Sequence, residues 1–304
     1  MKKDPRLTQF RLLFQFLAIS RLGSISAAAR ELGVTQPALS RSVKQLEDTL
    51  NVRLLDRRAK GVVLTAEGLI LARRVKLMDI EYQHALSEIS DHHQGIKGRL
   101  RLAAGPSWIV HFLPNILADF SDRYPDVLVT LTHGPFSTQL DALLNGDCDA
   151  ICGTLDFPDH PEIHKEHVFD ARYTVYARAG HPLTLHHASP DDLNSYPWIL
   201  LADDPISSSW VGSYFAAHRL EPPRIAIETT TLGCISLLRQ SDCLTIFEAK
   251  AESSMQAFGL QRIEHDGTFW NFPAGVARRR SARASAAYRA FREMIRSHLE
   301  SPHQ

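Results

Sequence analysis

"SISAAARELGVTQPALSRSVKQLEDTLN", residues 24–51, carries two helical patterns separated by a short turn. The first starts near Ser26 and sets Ala28 and Leu32 on one face; the small residues Ala27, Ala28 and Ala29 let a neighbouring helix approach closely. Gly33, Val34 and Thr35 turn the chain. Thr35 then stands as a cap, and Pro37 falls in the first turn of the next helix, where a missing N–H costs nothing. In that helix Leu39, Val43, Leu46 and Leu50 recur at helical spacing and define a buried stripe. Pro37, Ser40, Arg41 and Lys44 lie broadly opposite, with Gln36 at the exposed start. Gln can bridge an adenine edge, Arg can fork onto guanine, and Ser can bond base edges or phosphate. The uncharged opening turn also leaves amides free for a phosphate. This is the pattern of a helix-turn-helix that presents its second helix to the major groove.

The flanks extend the module. Upstream, Phe10, Leu13, Phe14 and Leu17 predict a helix over 8–20, capped by Thr8 and closed by Gly23. Downstream, "VRLLDRRAKGVVLT" predicts short strands over 53–57 and 62–64 around a basic tip of Arg58, Ala59, Lys60 and Gly61. That is a wing, placed to reach phosphates or the minor groove. Thr65 caps a long helix in which Leu71, Val75, Met78, Tyr82, Ala85 and Ile89 step by 4, 3, 4, 3 and 4. Such a heptad seam predicts a partner helix from a second copy.

Composition agrees with a nucleic-acid partner for this module alone. The 304 residues carry no net charge, yet residues 1–65 hold 12 Lys/Arg against 5 Asp/Glu, and the remainder 22 against 29. A basic module joined to an acidic one points to a polyanion bound by the first. Hydrophobic content of 44% and charged content of 22% describe a soluble globular chain of two or three domains. No apolar run of about 20 residues and no signal-peptide pattern appears, so no membrane is expected and the chain is expected in the cytoplasm. Four cysteines imply no disulfide framework. Cys148 and Cys152 alternate on a strand-like run without further ligands, and His160, His164 and His167 read as a solvated loop. No metal and no cofactor are expected.

The segment 10–68 resembles the DNA-binding module of the LysR-type transcriptional regulators, through A-A-x-x-L, T-Q-P-A-L-S-R, L-E and L-T-x-x-G. Leu55 departs from it, standing where that family often has Phe. The resemblance implies that Gln36, Pro37, Ser40 and Arg41 approach bases or phosphates. It also implies a homodimer or homotetramer, a contact with RNA polymerase, and a two-lobed, periplasmic-binding-protein-like α/β effector domain. The expected organisation is a winged module over 1–65, a linker and dimerisation helix over 66–94, and an effector domain over 95–304. Its lobes would be 95–170 with 269–304, and 171–268.

The residues beyond 95 read consistently with that. "RLRLAA", "DVLVTLTHG" and "CDAICG" alternate with helical stretches, which predicts a parallel sheet with covering helices. A second set follows from about residue 171, and "PAGVARR" returns to the first. Ligands of open α/β sheets sit at strand carboxyl ends, near helix N-termini. Ser107, Phe136, Ser137, Thr138 and Thr154 occupy such places in the first set; Ile206, Ser207, Ser208 and Thr230 do so in the second. Hydroxyls beside helix amides suit a small anionic effector. "LLRQSDCLTIFEA" departs from the family's Gly-rich apolar run, and Asp242 there would oppose an anion unless Arg239 pairs with it. No Gly-rich phosphate loop, nucleophile elbow or two-His metal helix appears, so an enzyme is not expected. The expected function is sequence-specific transcriptional regulation by a small molecule; the alternative is a constitutive DNA binder with a non-binding effector domain.

Overall fold

The computed structural model describes residues 5–58, 61–94, 96–202, 205–281 and 284–299. It divides into two compact units, 1–89 and 90–304.

In the first unit α1 (Pro5–Leu22), α2 (Ile25–Glu31) and α3 (Gln36–Leu50) enclose a small core. Helix α1 starts earlier than its periodicity predicts, so Thr8 lies inside it; Pro5 suits an opening turn because it has no N–H to leave unbonded. Thr35 Oγ1 accepts from Ala38 N at 3.4 Å, the cap expected for α3. Leu39, Val43 and Leu46 pack among Phe16, Ile19, Ala28 and Ala29. Leu50 is 41% exposed. The stripe ends a turn early because the helix closes at Asn51, whose φ of 53° redirects the chain.

Strands β1 (Leu55–Arg58) and β2 (Gly61–Leu64) pair antiparallel, Leu55 opposite Leu64. Three bonds fix this hairpin to the helical part. Glu47 Oε1 accepts from the amides of Leu54 and Leu55, at 2.7 and 3.2 Å. Val62 N donates to Gly23 O at 3.1 Å. Leu55 packs against both parts of the core, so the apolar change keeps its contacts. Helix α4 (Ala66–Gln94) starts behind Thr65, whose Oγ1 accepts from Gly68 N at 3.0 Å and donates to Arg53 O at 2.7 Å.

The second unit opens with β3 (Gly98–Ala104), a π-helical turn (Trp108–Phe112) running into α5 (Leu113–Arg123), β4 (Val127–Thr132), α6 (Phe136–Leu144) and β5 (Ala150–Thr154). Strand β6 (Ile163–Arg178) follows, then α7 (Pro190–Asn194), β7 (Trp198–Leu201), α8 (Pro205–Ala217), β8 (Ile225–Thr229) and α9 (Thr231–Leu238). Next come β9 (Thr245–Glu248), α10 (Glu252–Ala257), β10 (Leu260–Ile263), β11 (Trp270–Arg279) and α11 (Ala286–Leu299). The seven-stranded sheet runs β10-β6-β11-β5-β3-β4, with β9 also paired to β6.

This sheet is mixed rather than parallel. Strand β3 is parallel to β4 and β5, but β6 and β11 run antiparallel to each other and to their other partners. The mixing comes from β11, which returns from the carboxy-terminal part of the chain and inserts between β5 and β6, antiparallel to both. Strand β6 also absorbs the stretch expected as a solvated loop, since His164 and His167 lie in its ladder with β11. At the bulge between Ala274 and Gly275, a Cβ on Gly275 would meet Glu166 O at 2.1 Å, so only glycine fits. All four cysteines are free and buried. Cys148 precedes β5 and packs with Ile151, whereas Cys152 faces the other side, so the two do not share a face. Among the described residues no helix is long and apolar enough to cross a membrane.

Candidate nucleic-acid interface and effector pocket

Helix α3 buries one stripe and exposes the other. Thr35, Gln36, Pro37, Arg41 and Lys44 are exposed and Ser40 is half-buried. The first turn holds no acid to repel a phosphate. Ser26 of α2 donates its hydroxyl to Gln36 Oε1 at 3.2 Å, so the first helix of the pair orients the first residue of the second. The Gln36 Nε2 hydrogens remain as donors for a base edge. Arg58 is exposed on β1, while Ala59 and Lys60 of the wing tip lie outside the described residues.

The heptad seam of α4 has two parts. Leu71 packs into the core of its own winged unit and Val75 is buried, so those two positions are already covered. Beyond them Met78 is 40% exposed, Tyr82 57%, and Ala85 and Leu86 are exposed as well. The side chain of Ile89 lies outside the described residues.

In the second unit a cavity of about 60 Å³ lies at the carboxyl ends of β3, β5 and β9, against β6, β11 and α8. Ser107, Phe136 and Thr154 line it as expected. Ser137 and Thr138 are exposed and do not: each step along α6 turns roughly 100° away from Phe136. Ser208 is exposed, and Thr230 caps α9 by accepting from Gly233 N at 3.4 Å, so neither reaches the pocket. The side chains of Ile206 and Ser207 lie outside the described residues. Asp242 is absent from the lining, and its partner is Arg178, at 2.7 Å, rather than Arg239.

Sequence reasoning missed the walls. Trp210 stacks on Phe272 at 5.3 Å, Tyr173 meets both edge-on, and Phe169 stacks on Trp108 at 5.9 Å. Phe169, Ala171 and Tyr173 alternate along β6, the one signal by which this face was findable. Glu248, at the end of β9, also lines the cavity.

Two polar atoms in this pocket stand out. Ser107 is only 7% exposed, heads the turn leading into α5, and its hydroxyl has no hydrogen-bond partner among the described residues. By contrast Thr154 Oγ1 already accepts from Asp156 N at 3.0 Å. The second is Oε2 of the buried Glu248, likewise without a partner. Burial holds the Glu248 carboxyl above its ordinary range, opposed by the amides of Arg172, Lys250 and Ala251 and by the Lys250 charge.

Residues 10–69 match the family described as "Bacterial regulatory helix-turn-helix protein, lysR family", and 93–300 match "LysR substrate binding domain". The chain is 27% identical over 263 residues to the HTH-type transcriptional regulator PcaQ of Agrobacterium fabrum, covering 86% of this chain and 84% of that one. It is 31% identical over 198 residues to the SDS degradation transcriptional activation protein of a Pseudomonas strain, covering 63% and 64%. Among solved structures, full-length CbnR in complex with its target DNA aligns with a TM-score of 0.65 at 24% identity, covering 95% of this chain and 99% of that one. A full-length OxyR variant of Pseudomonas aeruginosa aligns with a TM-score of 0.68 at 19% identity, covering 97% and 95%. Those two likenesses speak to fold.

Proposed function

Since this chain belongs to the LysR family of DNA-binding transcriptional regulators and is not an enzyme, we propose that a small anionic effector in the aromatic pocket sets how strongly α3 holds its operator. The observation that carries this is the buried, unpartnered Ser107 hydroxyl facing an aromatic cavity. Native proteins rarely leave such a group unsatisfied, so a ligand or water atom completes it. A carboxylate suits the place: the hydroxyl can donate to it, and the opening amides of the helical turn have no intrahelical acceptors. At 10–15 Å³ per water the cavity replaces roughly four to six waters, which is the scale of one ring with a polar head.

The rest of the reading follows from the family. The exposed part of the α4 seam supports a homodimer or homotetramer built through that helix, which would set two reading helices on two half-sites. A DNA partner places the protein in the cytoplasm, where contact with RNA polymerase would convert binding into regulation.

The test is calorimetry of the full-length chain against aromatic carboxylates, with and without Ser107→Ala. Saturable binding is expected, weakened by about 0.5–1.5 kcal/mol for a neutral bond and more for a charged acceptor. Binding indifferent to Ser107→Ala would move the carboxylate elsewhere. No saturable binding at all would favour a constitutive DNA binder.

A further inference from the structure

Glu248 closes β9 within the stretch that departs from the family's Gly-rich apolar run. It is 2% exposed, and its Oε1 accepts from Arg172 N at 3.3 Å. Its Oε2 has no hydrogen-bond partner among the described residues. Glu248 precedes the short turn Ala249–Ala251, whose Lys250 and Ala251 amides ease the ionisation of its carboxyl, but the side chain completes no capping bond there and Oε2 stays open. The pocket side offers no compensation either: among the described lining residues none is Lys, Arg or His. Lys250 is exposed, with its ammonium over the Phe169 ring at 4.3 Å.

A buried carboxyl with an empty acceptor is costly unless something supplies a donor. The walls beside it indicate which kind. Aromatic faces are electron-rich and attract ammonium groups, more strongly where water is excluded. Tyr173, Trp210 and Phe272 surround the same cavity with stacked and edge-on rings. An anion alone would meet no cationic side chain among the described lining residues and would share the cavity with Glu248. A ligand that brings its own ammonium removes that conflict.

Resting on the reading of Ser107 above, we propose that the effector is a small aromatic amino acid, whose carboxylate meets Ser107 and whose protonated amine meets Glu248. Both orphan atoms are then satisfied by one molecule, and the ring fills the aromatic space between polar ends. The raised proton affinity that burial gives Glu248 is offset when the ammonium arrives as its counter-charge.

The test is calorimetry on the full-length chain with ortho, meta and para aminomethylbenzoate, each against the methylbenzoate that lacks only the amine. The three isomers sample three separations of ammonium from carboxylate. At least one is expected to bind about tenfold or more tightly than its methylbenzoate, the scale of a hydrogen bond between charged groups. Glu248→Gln keeps the shape, removes the charge and should erase that advantage while leaving the methylbenzoate unharmed. Glu248→Met gives the same reading should the amide variant fold poorly, as judged by thermal unfolding. If methylbenzoates bind as tightly as the amines, or the advantage survives both variants, the proposal is overturned. A loss of methylbenzoate binding in Ser107→Ala would in that case leave the carboxylate reading standing. If no compound of either series binds, both readings fall.

Discussion

A Cβ at Gly68 would stand 2.1 Å from the Leu54 carbonyl oxygen, and Thr65 holds α4 at that distance by bonding both Gly68 N and Arg53 O. The backbone cannot yield without breaking the cap, so Gly68→Ala should destabilise the winged unit by roughly 2–4 kcal/mol, an overpacking cost at a backbone contact. Thermal unfolding of residues 1–89 within the full chain, followed by loss of DNA binding, measures it; an unchanged midpoint would mean α4 tolerates the shift. Gln36 fails in a different way. If Gln36 reads a base edge as proposed, Gln36→Ala should cost about 1–3 kcal/mol on the operator and far less on scrambled duplex. Lys44→Ala, by removing charge, should weaken both duplexes alike and reduce the salt slope by about one unit. Equal losses on both duplexes for Gln36→Ala would reduce α3 to a phosphate grip. Gln36, Arg41 and Lys44 were legible because exposure on a single helix follows from period alone. Glu248 was not, because its burial is made by groups distant in the chain, such as the Arg172 amide that bonds it. His181 is a third kind of residue: fully buried, it accepts from Leu183 N at 3.1 Å, and burial holds its proton affinity below the ordinary 6.5. Below pH 6.5 the unfolded chain binds a proton that the folded one refuses, so this histidine lowers stability as pH falls through 6.5 towards its folded value. Urea titrations of the chain with and without His181→Gln, above and below that pH, should show a smaller acid loss in the variant.

Helix α4 illustrates what an element's pattern can and cannot say. The 4-3-4-3-4 spacing predicts one apolar seam, but burial changes along its described positions. Leu71 serves its own unit's core, while Met78 and Tyr82 stand open to solvent. A repeat gives the face of a helix; it carries no information on which turns the neighbouring fold will cover. The dimer expectation therefore rests on the exposed turns. Met78→Glu with Tyr82→Glu would put two charges where a partner helix must desolvate them. Light scattering with size exclusion should show a smaller species for the double variant, with α1–α3 still folded; an unaltered mass would place association on another surface. Strand β6 shows the opposite limit. Its 16 residues include a histidine-rich start that reads as loop, because a strand's ladder is supplied by its neighbours, here Trp270 to Arg279 of β11. The sheet's mixed direction was hidden for the same reason.

For the molecule as a whole, the order of elements was readable because charge, period and turn residues agree on it: a basic winged module, a long helix, then β-α-β alternation. The interior of the effector unit was not, since its pocket gathers residues from Gly105 to Ala274 that only the fold brings together. The proposed regulation would join the two units through free energy, and this gives the most general prediction. If an aromatic carboxylate effector changes operator affinity by some factor, operator DNA must change effector affinity by the same factor. Typical couplings of about 1–3 kcal/mol correspond to roughly 5–150-fold, well within reach of a paired titration. The measurement is operator binding with and without saturating effector, set beside effector binding with and without saturating operator, under one salt condition. Equal factors are expected if the pocket controls α3, and at a fixed subsaturating effector concentration the operator-side effect should shrink in Ser107→Ala because less of the pocket is filled. A ligand that binds the pocket tightly yet leaves operator affinity unchanged has equal affinity for both states of the protein and shifts nothing. That result would separate binding from control, and would make the pocket a site without a regulatory output.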